Sequence, residues 1–257
     1  MNAAGEICQT DKSAPQLPVQ SLRDVDMNDI ILVVFRDGSS TRVPARDLPS
    51  GKYAKFVKLA AGMASFGPNG SKPVNVAMAT SDGKVKVLDS STLTNRPDCD
   101  VMKVASGAQL IAACPVVDGS DQSFVFVTSK ANLLIFPVSS VNSQGRTSAG
   151  VAGIKLASGV KIITAAIALP TSSSVVTSTG TSIKVSKLSD FPAKGRGTLG
   201  VRCHTMMRGE TEITEAFIGE NPVAKSGTKA FKLPEITKRD ARGERIEGLG
   251  SLKFGEK

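Results

Sequence analysis

Apolar β-branched runs alternate with short polar turns along most of this chain. Runs at 30–35, 74–79, 124–127 and 175–176 lead into the turns Asp37-Gly38, Asp82-Gly83, Lys130-Ala131 and Thr179-Gly180, and Ser226-Gly227 forms a fifth. The second positions of these turns lie 45, 48, 49 and 47 residues apart. Two strand-like runs joined by a Gly-containing turn read as a β-hairpin. Side chains alternate along a strand, so Lys84, Lys86, Lys184 and Ser186 are predicted on one face and Val85, Val87, Ile183 and Val185 on the other. The pattern thus predicts one packing face and one cationic face. Sustained 3.6-residue periodicity is hard to find, which makes the chain all-β.

A second marker keeps nearly the same beat. Val57-Lys58-Leu59-Ala60-Ala61-Gly62 returns as Met102-Lys103-Val104-Ala105-Ser106-Gly107 and as Ile154-Lys155-Leu156-Ala157-Ser158-Gly159. Weaker copies are His204-Thr205-Met206-Met207-Arg208-Gly209 and Leu252-Lys253-Phe254-Gly255. Two rulers with a period near 50 residues indicate a circular or stacked repeat architecture rather than one irregular core. Five units are expected, at about 30–72, 73–120, 121–170, 171–219 and 220–257, within one domain covering 25–257. Residues 1–24, polar and interrupted by proline, read as a linker or a lead-in strand.

The formal charge of +9 is uneven. Residues 1–29 carry five acids against two bases, so 30–257 hold +12. A basic surface repeated over several units attracts a polyanion, nucleic acid first among them. No apolar run approaches the ~18 residues of a membrane span, and the amino end lacks the form of a signal peptide. Cys8, Cys99, Cys114 and Cys203 match no common zinc spacing or small disulfide scaffold and read as reduced thiols. His204 is the only histidine, so any metal site or Ser/His pair would need it; it is expected at a repeat-core or surface position.

Between the rulers lies a loop rich in Gly and Arg. It reads Gly145-Arg146-Thr147-Ser148-Ala149-Gly150, then Gly195-Arg196-Gly197-Thr198-Leu199-Gly200, then Gly243-Glu244-Arg245-Ile246-Glu247-Gly248. Glycines at the first and sixth positions would let backbone approach a phosphate while the arginine supplies a forked donor. The second loop fits G-x-G-x-x-G, but strands flank it on both sides, so no helix terminus is available for a dinucleotide pyrophosphate.

At these hairpins and loops, and at Phe136-Pro137-Val138 and Lys187-Leu188-Ser189-Asp190-Phe191, the chain resembles the carboxyl-terminal domain of the A subunit of bacterial type IIA topoisomerases. The resemblance implies a five-bladed β-pinwheel, a propeller-like disc of about 48-residue repeats whose blades exchange strands and around whose basic rim DNA bends. In the gyrase type, a box of Gln, two basic residues, paired glycines, a basic residue and glycine sits in the first blade. The corresponding stretch at 48–56 keeps Gly51, Lys52 and Lys55 but lacks the Gln and the paired glycines, which makes the chain more similar to the topoisomerase IV type. The resemblance also implies a non-catalytic domain of an ATP-dependent enzyme. The cleavage tyrosine belongs to an amino-terminal winged-helix region, whereas Tyr53 lies in the remnant box.

The expected function is therefore DNA binding and bending that presents a transport segment to the cleavage core, without a cofactor or metal. The alternatives are a gyrase-type wrapping domain and a propeller-like protein-interaction scaffold. Partners would be sequence-tolerant duplex DNA, the rest of the A subunit, plus the B subunit, in the cytoplasm on the bacterial nucleoid. Candidate DNA contacts are Lys52, Lys55, Lys58, Lys84, Lys86, Lys103, Arg146, Lys155, Lys184, Lys187, Lys194, Arg196 and Arg202, with Lys238 and Lys257 as peripheral lysines.

Overall fold

The computed structural model describes residues 25–48, 60–226, 229–246 and 252–256. The lead-in segment 1–24, most of the 48–56 stretch with Tyr53, and Lys52, Lys55, Lys58 and Lys257 lie outside the described residues. The chain is all-β, and it divides into two compact units, one made of Met1–Gly119 and Val141–Val151, the other of Ser120–Ser140 and Ala152–Lys257.

In the first unit the chain forms β1 (Asp29–Phe35), β2 (Ser39–Pro44), β3 (Ala60–Pro68), β4 (Val76–Thr80), β5 (Lys84–Leu88), β6 (Asp98–Asp100) and β7 (Leu110–Pro115). Hairpin β1–β2 is flanked by β3 beside β1 and by β6 beside β2, all antiparallel. Hairpin β4–β5 repeats the plan, with β7 beside β4. The short β10 (Ser143–Gln144) and β11 (Val151–Ala152) pair with β5.

The second unit has the same grammar. Hairpin β8 (Ser123–Thr128) and β9 (Asn132–Pro137) is flanked by β12 (Ile162–Ala168) and by β15 (Val201–Arg202). Hairpin β13 (Ser174–Ser178) and β14 (Ser182–Lys187) is flanked by β16 (Glu215–Gly219) and β19 (Glu244–Arg245). The last hairpin, β17 (Pro222–Ser226) with β18 (Lys229–Phe231), takes β20 (Leu252–Glu256) beside β17. Four hairpins therefore borrow a strand from chain that follows the next hairpin: β6, β10, β15 and β19 each come one repeat late. This is the strand exchange that the resemblance implied.

Burial explains why the central strands read as continuous apolar runs. Every residue of β4 and β8 is buried. Both sheet faces are thus covered, a situation that favours unbroken hydrophobic sequence over alternation. Phe124, Phe126 and Phe136 are at most 1 % exposed, and the Phe136 ring lies 5.4 Å from Phe124 and 6.3 Å from Phe126. Each such side chain stabilises the second unit by about 1.5–3 kcal/mol through area removed from water.

One ruler needs correction. Gly107, Gly159 and Gly209 occupy turns ahead of β7, β12 and β16, with φ of 78°, 75° and 92°. Gly62 and Gly255, counted as copies of the same marker, instead lie within β3 and β20. Pairing makes Gly62 the counterpart of Ala112, because Gly62 faces Val34 as Ala112 faces Ala79 across equivalent hairpin positions. A Cβ on Gly62 would stand 1.9 Å from the Ala113 carbonyl oxygen, so its glycine answers a close approach of β3 to β7, whereas the Cβ of a residue at 107 would meet open space. The same letters serve two different needs.

Candidate nucleic-acid interface

Lys86 and Lys184 leave the predicted cationic face. They are 0 % and 2 % exposed, because the face expected to meet solvent is itself packed. The Lys86 ammonium donates to the carbonyl oxygens of Val101 at 2.7 Å, Arg146 at 3.0 Å and Ser148 at 3.2 Å. Lys184 donates to the Ser186 hydroxyl and to the carbonyl oxygens of Cys203 and Arg239, both at 2.9 Å. Each ammonium spends its three protons on acceptors, which is what allows it to be buried at all. Burial lowers both amines to about 8, so they remain charged at neutral pH. Lys84 is half-buried on the same hairpin face.

The remaining described candidates reach solvent to different extents. Lys103, Lys155, Lys187, Lys194, Arg196 and Arg202 are exposed, and Arg146 is half-buried. In the second unit, residues 192–202 bring together Lys194, Arg196 and Arg202 with no acidic residue, and 192–199 are all exposed. The segment is held at both ends. Lys194 N–H donates to the Ile135 carbonyl at 2.9 Å, Gly197 N–H to Gly153 at 2.6 Å, and Val201 pairs with Leu133. Gly200, at φ 81°, is pressed so near β9 that a Cβ would stand 2.3 Å from the Leu133 oxygen. Gly150 meets the Val85 oxygen in the same way, at 2.5 Å. The sixth-position glycines therefore serve contact with a neighbouring strand, not the phosphate approach expected of them. Arg196 is tethered by one Nη1 bond to the Ala152 carbonyl at 3.3 Å, leaving most of its donors directed elsewhere.

The third Gly/Arg loop was read five residues out of frame. β19 pairs with β14 as β15 pairs with β9, which sets Glu244 against Val201 and Gly243 against Gly200. The matching loop is thus 238–243, and Arg239 stands where Arg146 and Arg196 stand. Its backbone confirms the frame, since Lys184 holds the Arg239 carbonyl as Lys86 holds that of Arg146. Arg239 and Arg242 were missed, and Arg245 was given the place of the loop arginine, because Gly243 and Gly248 repeat the five-residue interval of the earlier loops. Lys238 belongs to this loop and is not a peripheral lysine. In the first unit the borrowed strand β6 differs: Asp98 and Asp100 accompany Arg96, so basic charge is not repeated evenly.

His204 lies in the core, at 1 % exposure. Its Nδ1 is 2.9 Å from the Thr177 hydroxyl and its Nε2 is 3.3 Å from the Ser182 hydroxyl. Ser182 donates to Glu210 Oε1 at 2.6 Å, so it accepts from Nε2–H. Ser182 is 0 % exposed and has no route to a substrate. Glu210 also accepts from the Thr179 and Thr181 hydroxyls and from Met207 N–H. These bonds outweigh its burial and lower its carboxyl to about 2. For His204, burial is the main cause of a fall to about 4, opposed by Glu210 and assisted by Lys184. Cys114 and Cys203 are pushed up to about 12 by burial, which leaves them as thiols. Among the described residues no cluster of three or more His, Cys, Asp or Glu could hold a metal ion. No described helix is long and apolar enough to cross a membrane.

The shift of His204 gives a pH dependence with a definite sign. Its folded value lies below the unfolded one, so its contribution is complete above about pH 6.5 and is lost as pH falls toward 4. Urea unfolding should show a loss of about 2 kcal/mol between roughly pH 7 and 5, with Glu210 adding a further loss below about 4.5. His204→Gln should flatten the upper part of that profile; an unchanged profile would show that His204 is not the group responsible.

Comparison with known proteins agrees with this architecture. Residues 122–168 and 176–203 match the family model described as DNA gyrase C-terminal domain, beta-propeller. Topoisomerase subunit TopoM of Mycolicibacterium smegmatis is 32% identical over 119 residues, 46% of this chain and 16% of that protein. The DNA gyrase A subunit of Salmonella typhimurium is 29% identical over 130 residues, 50% of this chain and 15% of that protein. The chain thus spans about a sixth of the length of these curated relatives. In fold it is similar to the C-terminal domain of DNA topoisomerase IV, with a TM-score of 0.70 at 16% identity over 86% of this chain and 76% of that one. The E. coli ParC C-terminal domain gives 0.63 at 14% identity over 90% of this chain and 100% of that one. The repeat fold is that of these C-terminal domains. The family match thus falls on the third repeat and on the following one as far as 203.

Proposed function

We propose that this chain is a non-catalytic DNA-binding and DNA-bending domain of a type IIA topoisomerase A subunit, which presents the transport segment to the cleavage core. The observation that carries the reading is the exposed, acid-free 192–202 segment, where Lys194, Arg196 and Arg202 lie on a loop anchored at both ends by backbone contacts. Anchored cations without base-reading geometry suit phosphate contacts and sequence-tolerant binding. Lys103, Arg146, Lys155, Lys187 and the loop of Arg239 extend the same chemistry to other repeats, and Lys84 supplies a half-buried contribution. The partners on this reading are duplex DNA, the rest of the A subunit, plus the B subunit, with the bacterial nucleoid as the location.

Within that function we favour the topoisomerase IV type, on the missing Gln and paired glycines at 48–56. The gyrase type is the second reading, supported by the family match and the Salmonella relative. Relaxing and religating a circular plasmid with excess protein separates the two. Bending without a fixed hand leaves the topoisomer distribution little changed, while a strong shift toward positively constrained supercoils would move the chain to the gyrase type. Bending costs several kcal/mol that phosphate contacts must offset, so a longer duplex should bind more tightly than a short one.

A further inference from the structure

The two buried lysines occupy the same place in repeats two and four. Pairing aligns Lys86, Leu134 and Lys184, one per repeat, as the second residue after the hairpin positions Lys84, Asn132 and Ser182. In both lysine repeats the ammonium bridges two segments that are distant in sequence. One acceptor is the carbonyl just before the marker segment, Val101 or Cys203. The other is the carbonyl of the loop arginine that arrives from the following repeat, Arg146 or Arg239. Lys103 N–H to Ser148 at 3.1 Å and Thr205 N–H to Ala241 at 3.0 Å fasten the same two segments beside each clasp. Where Leu134 replaces lysine, Gly153 takes the place of Val101, and its carbonyl is met by Gly197 N–H instead. The loop then closes through its own backbone, and Arg196 is exposed.

We propose that Lys86 and Lys184 are positioning residues for DNA binding, each clasping the backbone of a loop arginine, Arg146 or Arg239, so that its guanidinium is held toward phosphate, and that Arg239 is itself a DNA contact. The role in binding rests on the function proposed above; the clasp itself does not. A lysine in this place contributes no phosphate contact of its own. Its charge is consumed by three acceptors, and its value lies in fixing the loop that carries the contact.

The test uses Lys86→Met, Arg146→Gln and the double variant in the full 257-residue chain, with hydrogen exchange and salt-dependent binding to random-sequence duplex. Without DNA, Lys86→Met should speed exchange at Lys103, Ser148 and Gly150 on the order of tenfold, while Gly197 in the loop without a clasp stays as it was. With DNA, Lys86→Met and Arg146→Gln should each lower the log–log salt slope by about 0.9, the value for one lost phosphate contact, and the double variant should lower it no further. A double variant that loses about 1.8, or a Lys86→Met slope equal to the parent's, would overturn the positioning role. Unchanged exchange would overturn the clasp, whereas altered exchange with no DNA binding in the parent chain would remove the DNA reading and leave the clasp standing. Lys86→Leu provides a second variant, because Leu134 fills the same place in the third repeat. Arg239→Gln should lower the slope by about 0.9 as well; no change there would refute its assignment as a contact.

Discussion

Between about 50 and 200 mM salt, the affinity of this chain for random-sequence duplex is expected to fall on the order of a thousandfold. Neutralising about 6 phosphates gives a log–log slope near −5, which over a fourfold rise in salt produces a loss of that size. The exposed cations Lys103, Lys155, Lys187, Lys194, Arg196 and Arg202, with the half-buried Arg146, are enough to supply such a number. Burial of Lys86 and Lys184 reduces the available set, so the slope counts surface contacts and not total charge. Anisotropy titrations at several salt concentrations measure it. A flat response, or tight binding restricted to one sequence, would contradict phosphate-dominated binding. An acidic protein should show no comparable affinity, which separates DNA binding from a scaffold that recruits acidic partners.

The hairpins were legible in the sequence because both of their signals are local. A polar turn between apolar β-branched runs carries its own geometry, and the turns at Asp82-Gly83 and Thr179-Gly180 join β4 to β5 and β13 to β14 as expected. The borrowed strands β10, β11, β15 and β19 are two residues long, too short for any periodicity, and only the resemblance implied them. Gly62 misled the second ruler because a glycine required by a neighbouring carbonyl is spelled like a glycine required by a turn. Alternation placed Lys86 and Lys184 correctly on one face of their strands. What it could not show was that this face is packed and that incoming loops bring carbonyl acceptors to the amines.

The loop arginines show the same division. Arg146 and Arg196 were visible through matching glycines, but the physical purpose of Gly150 and Gly200 is contact with β5 and β9. Arg239 was invisible because its loop has aspartate and arginine between Arg239 and Gly243, and only strand register reveals the match. For His204 the missing catalytic partners left a repeat-core or a surface position open; its burial and its link through Ser182 to Glu210 are tertiary facts that spacing does not encode.

Charge reversal at the anchored loop should have the second large effect. Arg196 and Arg202 flank a segment whose backbone is tied down by Gly197, Gly200 and Val201, so replacing their side chains leaves the loop's own fastenings in place. Each lost charge-assisted contact costs about 1.5–3 kcal/mol, and about 1.4 kcal/mol is tenfold in affinity. The pair is therefore expected to lower affinity on the order of a hundredfold. Lys72 and Lys161, exposed outside the borrowed segments, provide a comparison with the same change of formal charge. The decisive measurement is the dissociation constant of Arg196→Glu/Arg202→Glu against Lys72→Glu/Lys161→Glu, at one salt concentration and on the same random-sequence duplex. A hundredfold loss for the arginine pair with a loss below about tenfold for the lysine pair is the predicted result, and equal losses would show that the borrowed segments are no interface and that bulk charge alone holds the DNA.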